Sequence, residues 1–257
     1  MTEDVHNQNL RARRASSFGG HAGAYAEHRP DYPVAAARWA VEPVTDPSTS
    51  RVLDLGAGTG KLTEVLLRCG FQVTAVEPDA GMLAELRRRM PRVDAREGSA
   101  EAIPMPDASF DAVLVGQAFH WFDHDRALPE IGRVLRPGGV LAALWNRDDD
   151  RVEWIEGLQE VARGEAPGTR RYDQRRLPAH PAFGAWELAE FPHAQRRTAD
   201  SLTATIGTHS HTLVIPADER EALLGRIRGY LASRPETASG EFDLPMVTLT
   251  VRCVRQP

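Results

Sequence analysis

The chain has 257 residues, 42% of them hydrophobic and 26% charged, with a formal net charge of −5. This is the profile of an ordinary globular domain, without the basic excess that marks a nucleic-acid partner. No apolar run approaches the ~20 residues of a membrane span, and the polar start "MTEDVHNQNLRARRASS" lacks a signal-peptide core. The two cysteines, Cys69 and Cys253, suggest neither a disulfide framework nor a metal cluster. The expectation is a cytoplasmic protein with no nucleic acid, membrane or metal among its partners, present as monomer or homodimer. Its basic residues are nearly all arginine, a bias read as that of a GC-rich bacterial genome.

Residues 1–17 read as a flexible tail and 18–257 as one domain. In "YAEHRPDYP" (25–33), Pro30 and Pro33 stiffen a stretch that precedes the first strand. Residues 18–40 are therefore expected to fold over a site as a lid, with Tyr25, Arg29 and Tyr32 as covering groups. The alternative is a helix that packs on the sheet for stability alone.

"RVLDL" (51–55) predicts a buried strand and "KLTEVLLRCG" (61–70) a helix ended by Gly70. "FQVTAVE" (71–77) is a second strand. "DAGMLAELRRRM" (79–90) is a helix with Asp79 at its start, arginines in its last turn and Pro91 beyond. A weaker strand follows at 92–98 and a fourth at 110–119. A helix at 127–136 is stopped by "PGG" before a fifth strand at 140–146. Such alternation implies a parallel sheet with helices on both faces. After Asn146 the pattern changes: a helical stretch to 163, an irregular segment at 164–186, a helix at 217–234 and a terminal strand at 245–255. Residues 147–235 are expected to include a substrate-side insertion that roofs the site.

The chemistry is concentrated in "LDLGAGTGKLT" (53–63). A triphosphate-binding loop needs G-x-x-x-x-G-K-[ST], and both ends of that pattern fail here. A dinucleotide fingerprint needs G-x-G-x-x-G, but Lys61 stands at its last position. Asp54 inside the strand would also face an incoming diphosphate. S-adenosylmethionine fits better. It has no phosphate, its ammonium and sulfonium suit Asp54, and Glu77 at the end of the second strand would accept from both ribose hydroxyls.

"VLDLGAGTGKLT", "AVEPD", "GSAEAIPMPDASFDAV", "GQAFHWFD" and "EIGRVLRPGGVLAALW" occur in that order. The chain thereby resembles the class I S-adenosylmethionine-dependent methyltransferases. "FGGHAGAYAEHRPDYP" and "HWFD" resemble the small-molecule branch that includes trans-aconitate methyltransferase-like enzymes. The resemblance implies a Rossmann-like doubly wound α/β fold, seven strands in the order 3-2-1-4-5-7-6 with strand 7 antiparallel. It implies that Gly56, Ala57 and Gly58 line the methionine part of the cofactor, with Glu77 at the ribose and Pro78 beside the adenine. Ser99 stands where the family often has Asp for the adenine amino group, Ala100 would offer its backbone N–H, and Gln117 would face the methionine moiety. Arg29 would pair the methionine carboxylate from the lid.

Methyl transfer from a sulfonium needs alignment first and a base only where the nucleophile carries a proton. His120, after the fourth strand, is the catalytic candidate; an equal reading is that it lines the pocket. Trp121 and Phe122 read as an apolar wall or as core, Glu101 as a surface carboxylate, and His124 as a solvated turn residue. "HSH" (209–211) lacks a third metal ligand, and "RRYDQRR" (170–176) would attract an anion or stay an exposed loop. The reading is methyl transfer to a small metabolite, at oxygen, with carbon and nitrogen as alternatives. A dinucleotide-dependent oxidoreductase and a non-catalytic binder of the cofactor or a small molecule are the rivals.

Overall fold

The computed structural model describes residues 30–44, 49–163, 174, 177–207, 212 and 215–257. The tail at 1–17, the lid candidates Tyr25 and Arg29, "HSH" and all of "RRYDQRR" except Gln174 lie outside the described residues.

Helix α1 (Val34–Val41) comes first. Pro33 occupies its N-cap at φ −66°, the angle its ring enforces. Ala36, Ala37 and Ala40 are buried with Val41, and their small side chains let the helix lie close on the sheet. The order continues with β1 (Arg51–Leu55), α2 (Lys61–Arg68), β2 (Gln72–Glu77), α3 (Ala80–Arg89), β3 (Asp94–Glu97) and β4 (Phe110–Gly116). A single 3₁₀ turn at Phe119–Trp121 leads into α4 (His124–Val134), β5 (Leu135–Asp148) and α5 (Glu153–Arg163). β6 (Glu187–Thr198), α6 (Ala199–Gly207), α7 (Ala217–Ser233) and β7 (Glu241–Val254) complete the described elements. No helix among the described residues is long and apolar enough to cross a membrane.

The seven strands form one sheet in the order β3-β2-β1-β4-β5-β7-β6. β1 to β5 are mutually parallel, and β7 runs antiparallel between β5 and β6. Alternate residues of each strand supply opposite cores. Val140, Ala142 and Leu144 of β5 pack towards α1 and α2, while Leu141, Ala143 and Trp145 pack towards α4. A third core joins α5, α6 and α7 to Phe242, Leu244 and Met246 at the start of β7. Arg252 of β7 fixes α1 to this frame: its guanidinium lies 4.0 Å from the Trp39 ring centroid and pairs with Glu42 and Glu187.

Several boundaries differ from the sequence reading. β4 ends at Gly116, because Gln117 takes φ +58° and turns the chain out of the strand. α4 stops at Val134, and "RPGG" belongs to β5, where Gly138 and Gly139 exchange backbone bonds with Arg255. The resemblance implied a strand beside β7, but its position at Glu187–Thr198 was not read from the residues. β6 is an edge strand, half exposed, with Pro192 in its middle, a residue that only an edge tolerates. Part of 147–235 is thus sheet.

Candidate functional site

The carboxyl end of β1 passes into a tight turn. The Gly56 and Ala57 N–H groups donate to Val76 O at 2.8 and 3.1 Å, carrying the chain across the end of β2. Gly56 sits at φ +70°, and a Cβ there would come within 2.9 Å of Ala118 Cβ, so glycine serves both the turn and the close approach. Gly56, Ala57, Gly58, Thr59 and Lys61 form one wall of a cleft, with Asp54 at its floor and Pro30, Tyr32, Gly116 and Gln117 opposite. About 460 Å³ of space lies between these residues, part of it open solvent.

Two carboxylates anchor this end of the sheet. Asp54 is fully buried and accepts from the Thr63 hydroxyl of α2 at 2.6 Å through Oδ2. Its Oδ1 has no hydrogen-bond partner among the described residues. Burial pushes the Asp54 carboxyl up from 3.8 to about 7, and the Glu77 charge adds to the rise while the Thr63 bond opposes it. Glu77, 6% exposed, braces the turn: one oxygen accepts from Gly58 N–H at 2.8 Å and the other from Asp79 N–H at 2.9 Å. Burial raises its pKa too, against these two amide bonds. An ionised carboxylate has about four acceptor positions, so each Glu77 oxygen retains capacity for a ligand hydroxyl. Asp79 also caps α3 by accepting from Met82 N–H.

Pro78 is exposed immediately after Glu77. Ser99 is half-buried in a short bridge with Ala102 beyond β3, and Ala100 is buried in the α4-side core. None of these three lines the cleft itself. Glu101, read as a surface carboxylate, accepts from Asp123 N–H at the start of α4. His120 lies half-buried in the 3₁₀ turn, its ring 4.6 Å from that of Trp121. Phe122 is buried and its ring flanks Gly56. His124 is not the solvated turn residue expected. Its ring stacks on Phe119 at 4.7 Å, with Nε2 3.0 Å from Phe119 O.

Sequence reasoning passed over four residues of this site. Thr59, 1% exposed, has a hydroxyl with no partner among the described residues. Lys61 pairs with Asp31 at 2.9 Å. Asn146 and Thr248 meet behind Gln117. Thr59 and Lys61 stood in the glycine motif; Thr248, in the last strand, carried no local signal.

The implied cofactor fits these groups. The unsatisfied Asp54 Oδ1 suits a cation or donor, the glycine turn leaves room for an extended amino-acid chain, and Glu77 has acceptor capacity for a ribose. A methyltransferase-domain model matches residues 53–143. A methyltransferase of Mycobacterium tuberculosis without assigned substrate is 41% identical over 237 residues, 92% of this chain and 94% of the relative. A malonyl-[acyl-carrier protein] O-methyltransferase of Methylococcus capsulatus is 42% identical over 102 residues, 37% of each chain. A solved structure described as a type II methyltransferase, from Anaeromyxobacter dehalogenans, superposes with a TM-score of 0.66 at 28% identity. The match covers 89% of this chain and 99% of that one. With the sheet order, the glycine turn and a relative this similar over nearly its whole length, the chain belongs to the class I S-adenosylmethionine-dependent methyltransferases.

Proposed function

We propose that the protein methylates a small-molecule metabolite at an oxygen nucleophile by in-line displacement. The observation that supports this reading most directly is the cleft itself. Its floor is a buried carboxylate with one oxygen unsatisfied, and its wall is main chain brought close by Gly56. S-adenosylmethionine supplies a methyl group on a sulfonium, already activated for transfer. The protein's part is alignment and exclusion of water. Asp54 faces the cationic end, Gly56 to Gly58 and Gln117 border the methionine chain, and Glu77 holds the ribose, with Pro78, Ser99 and Ala100 around the adenine. His120, in the 3₁₀ turn that follows β4, is assigned as the base, since an imidazole accepts the proton of a hydroxyl nucleophile. The O-methyltransferase name of the Methylococcus relative supports oxygen as acceptor.

The test is transfer of labelled methyl from S-adenosylmethionine to a panel of small carboxylic acids, phenols and amines. Label is expected in a base-labile ester or an ether. Heat stabilisation by S-adenosylhomocysteine but not by dinucleotides is the accompanying result. Stabilisation by a dinucleotide alone, or transfer only to macromolecules, would overturn the proposal.

A further inference from the structure

Behind the cleft, four side chains from three strands and the end of β4 form a connected polar chain. Asn146 Nδ2 donates to Pro30 O at 3.3 Å and to Asp31 O at 3.1 Å. Asn146 Oδ1 lies 2.5 Å from Thr248 Oγ1, which lies 3.0 Å from His193 Nε2. The Asn146 main-chain oxygen accepts from Gln117 Nε2 at 2.9 Å. Gln117, Pro30 and Tyr32 all line the cleft.

The orientation of every group in this chain follows from its partners. Two main-chain carbonyls face one end of the Asn146 amide, and only an amino group satisfies them. Oδ1 therefore faces Thr248. Thr248 is fully buried, so its single hydroxyl proton goes to Oδ1 and its oxygen accepts. His193 Nε2 must then carry a hydrogen. Burial holds the His193 pKa below its usual value, in keeping with a neutral ring fixed in that tautomer. The strap from Pro30 to Tyr32 has two further fastenings. Asp31 pairs with Lys61 of α2. Tyr32 sits over Gly116 so closely that a Cβ there would lie 2.7 Å from the phenol oxygen.

We propose that Asn146 is a positioning residue that holds the Pro30–Tyr32 strap across the cofactor cleft and orients Gln117, with Thr248 and His193 fixing the direction of its amide. The proposal rests on the reading of the cleft as the cofactor site. Strap and Gln117 are tied to one residue at the carboxyl end of β5, so the cofactor cannot leave by the strap without breaking the Asn146 bonds. Asn146 therefore governs cofactor release more than encounter.

The test uses the full-length protein and S-adenosylhomocysteine as probe. Asn146→Asp keeps the shape but turns a carboxylate oxygen on the two strap carbonyls. Thr248→Val removes the hydroxyl that fixes the amide, and Thr248→Ser restores it. Asn146→Asp should raise the dissociation rate roughly ten-fold or more with little change in association rate. Thr248→Val should act in the same direction by less, and Thr248→Ser should return to the parent value. Amide exchange of the strap should quicken in the first two while β1 and β4 stay protected, a split that a general loss of stability would not produce. Unchanged dissociation and strap exchange in a folded Asn146→Asp protein overturns the proposal. If that protein does not fold, Thr248→Val decides in the same way. A parent protein that does not bind S-adenosylhomocysteine overturns the cofactor reading instead, and strap exchange alone then judges the anchoring.

Discussion

Asp54 offers the sharpest test of how the site is built. Its carboxyl is fully buried and raised from 3.8 to about 7, first by desolvation. The folded state therefore holds this proton more tightly than the unfolded chain does. The sign follows: the contribution of Asp54 to stability is greatest below about pH 4, declines as pH climbs from 3.8 to about 7, and stays depressed above. The full deficit is about 4 kcal/mol, at ~1.4 kcal/mol for each tenfold change in proton affinity. Asp54→Asn is neutral at every pH, and its carbonyl still accepts from Thr63. Its amino group is left without a partner, which costs about 1–3 kcal/mol at all pH values. The difference in unfolding free energy between substituted and parent protein should therefore move by about 3–4 kcal/mol in the variant's favour from pH 4 to pH 8. Urea unfolding of both proteins across that range reads it, because other titrating groups cancel in the difference. A difference that is flat with pH would refute the reasoning. The same substitution should weaken S-adenosylmethionine binding, trading affinity for stability as active-site substitutions commonly do.

Three other outcomes are expected. Glu77→Gln leaves one of the Gly58 and Asp79 amides without its acceptor; since a bond to a charged group contributes about 1.5–3 kcal/mol, calorimetry should show S-adenosylhomocysteine bound roughly ten-fold or more weakly. Gly56→Ala places a methyl 2.9 Å from Ala118 Cβ at φ +70°; it should lower stability by about 1–2 kcal/mol from the backbone alone, and thermal melts together with binding titrations check it. His120→Ala should leave cofactor affinity intact and reduce kcat by roughly 10²–10⁴-fold if the imidazole is the base. An increase confined to KM would make it a substrate-positioning group instead.

What the sequence disclosed follows from how each part is encoded. β1 and β4 are buried on both faces over most of their length and read as short apolar runs, and the glycine turn must be written out residue by residue because its geometry is local. Asp54 and Glu77 stood out for the same reason: a carboxylate within or ending a buried strand is conspicuous. β6 was hidden, because its exposed positions in "ELAEFPHAQRRT" and the central Pro192 erase the alternation that marks a strand. The end of α4 was misplaced because "RPGG" reads as a helix stop, whereas Gly138 and Gly139 are drawn into β5 by pairing with Arg255, remote in sequence. His124 was misread because its neighbours are both aspartates, while its contact is the Phe119 ring below. Asn146, Thr248 and His193 meet only through the antiparallel register, in which Asn146 pairs with Thr248 across β5 and β7. No spacing along the chain announces that meeting.

The unequal treatment of the two carboxylates carries the functional argument furthest. Asp54 and Glu77 end adjacent parallel strands, both buried, and the charge on Glu77 helps to raise the Asp54 pKa. The fold answers Glu77 with a main-chain amide on each oxygen. It answers Asp54 through Thr63 alone and leaves the second oxygen unmet. A site evolved for stability alone would have a different residue at 54, since an unpaired buried charge is among the least favourable groups a core can hold. Asp54 lines the cleft, and in the proposed reading its unmet oxygen meets the end of the cofactor that carries a sulfonium and an ammonium. In that reading part of the affinity for the cation is the relief of a penalty already present in the free protein, so a residue that costs the fold stability is also one that favours the ligand.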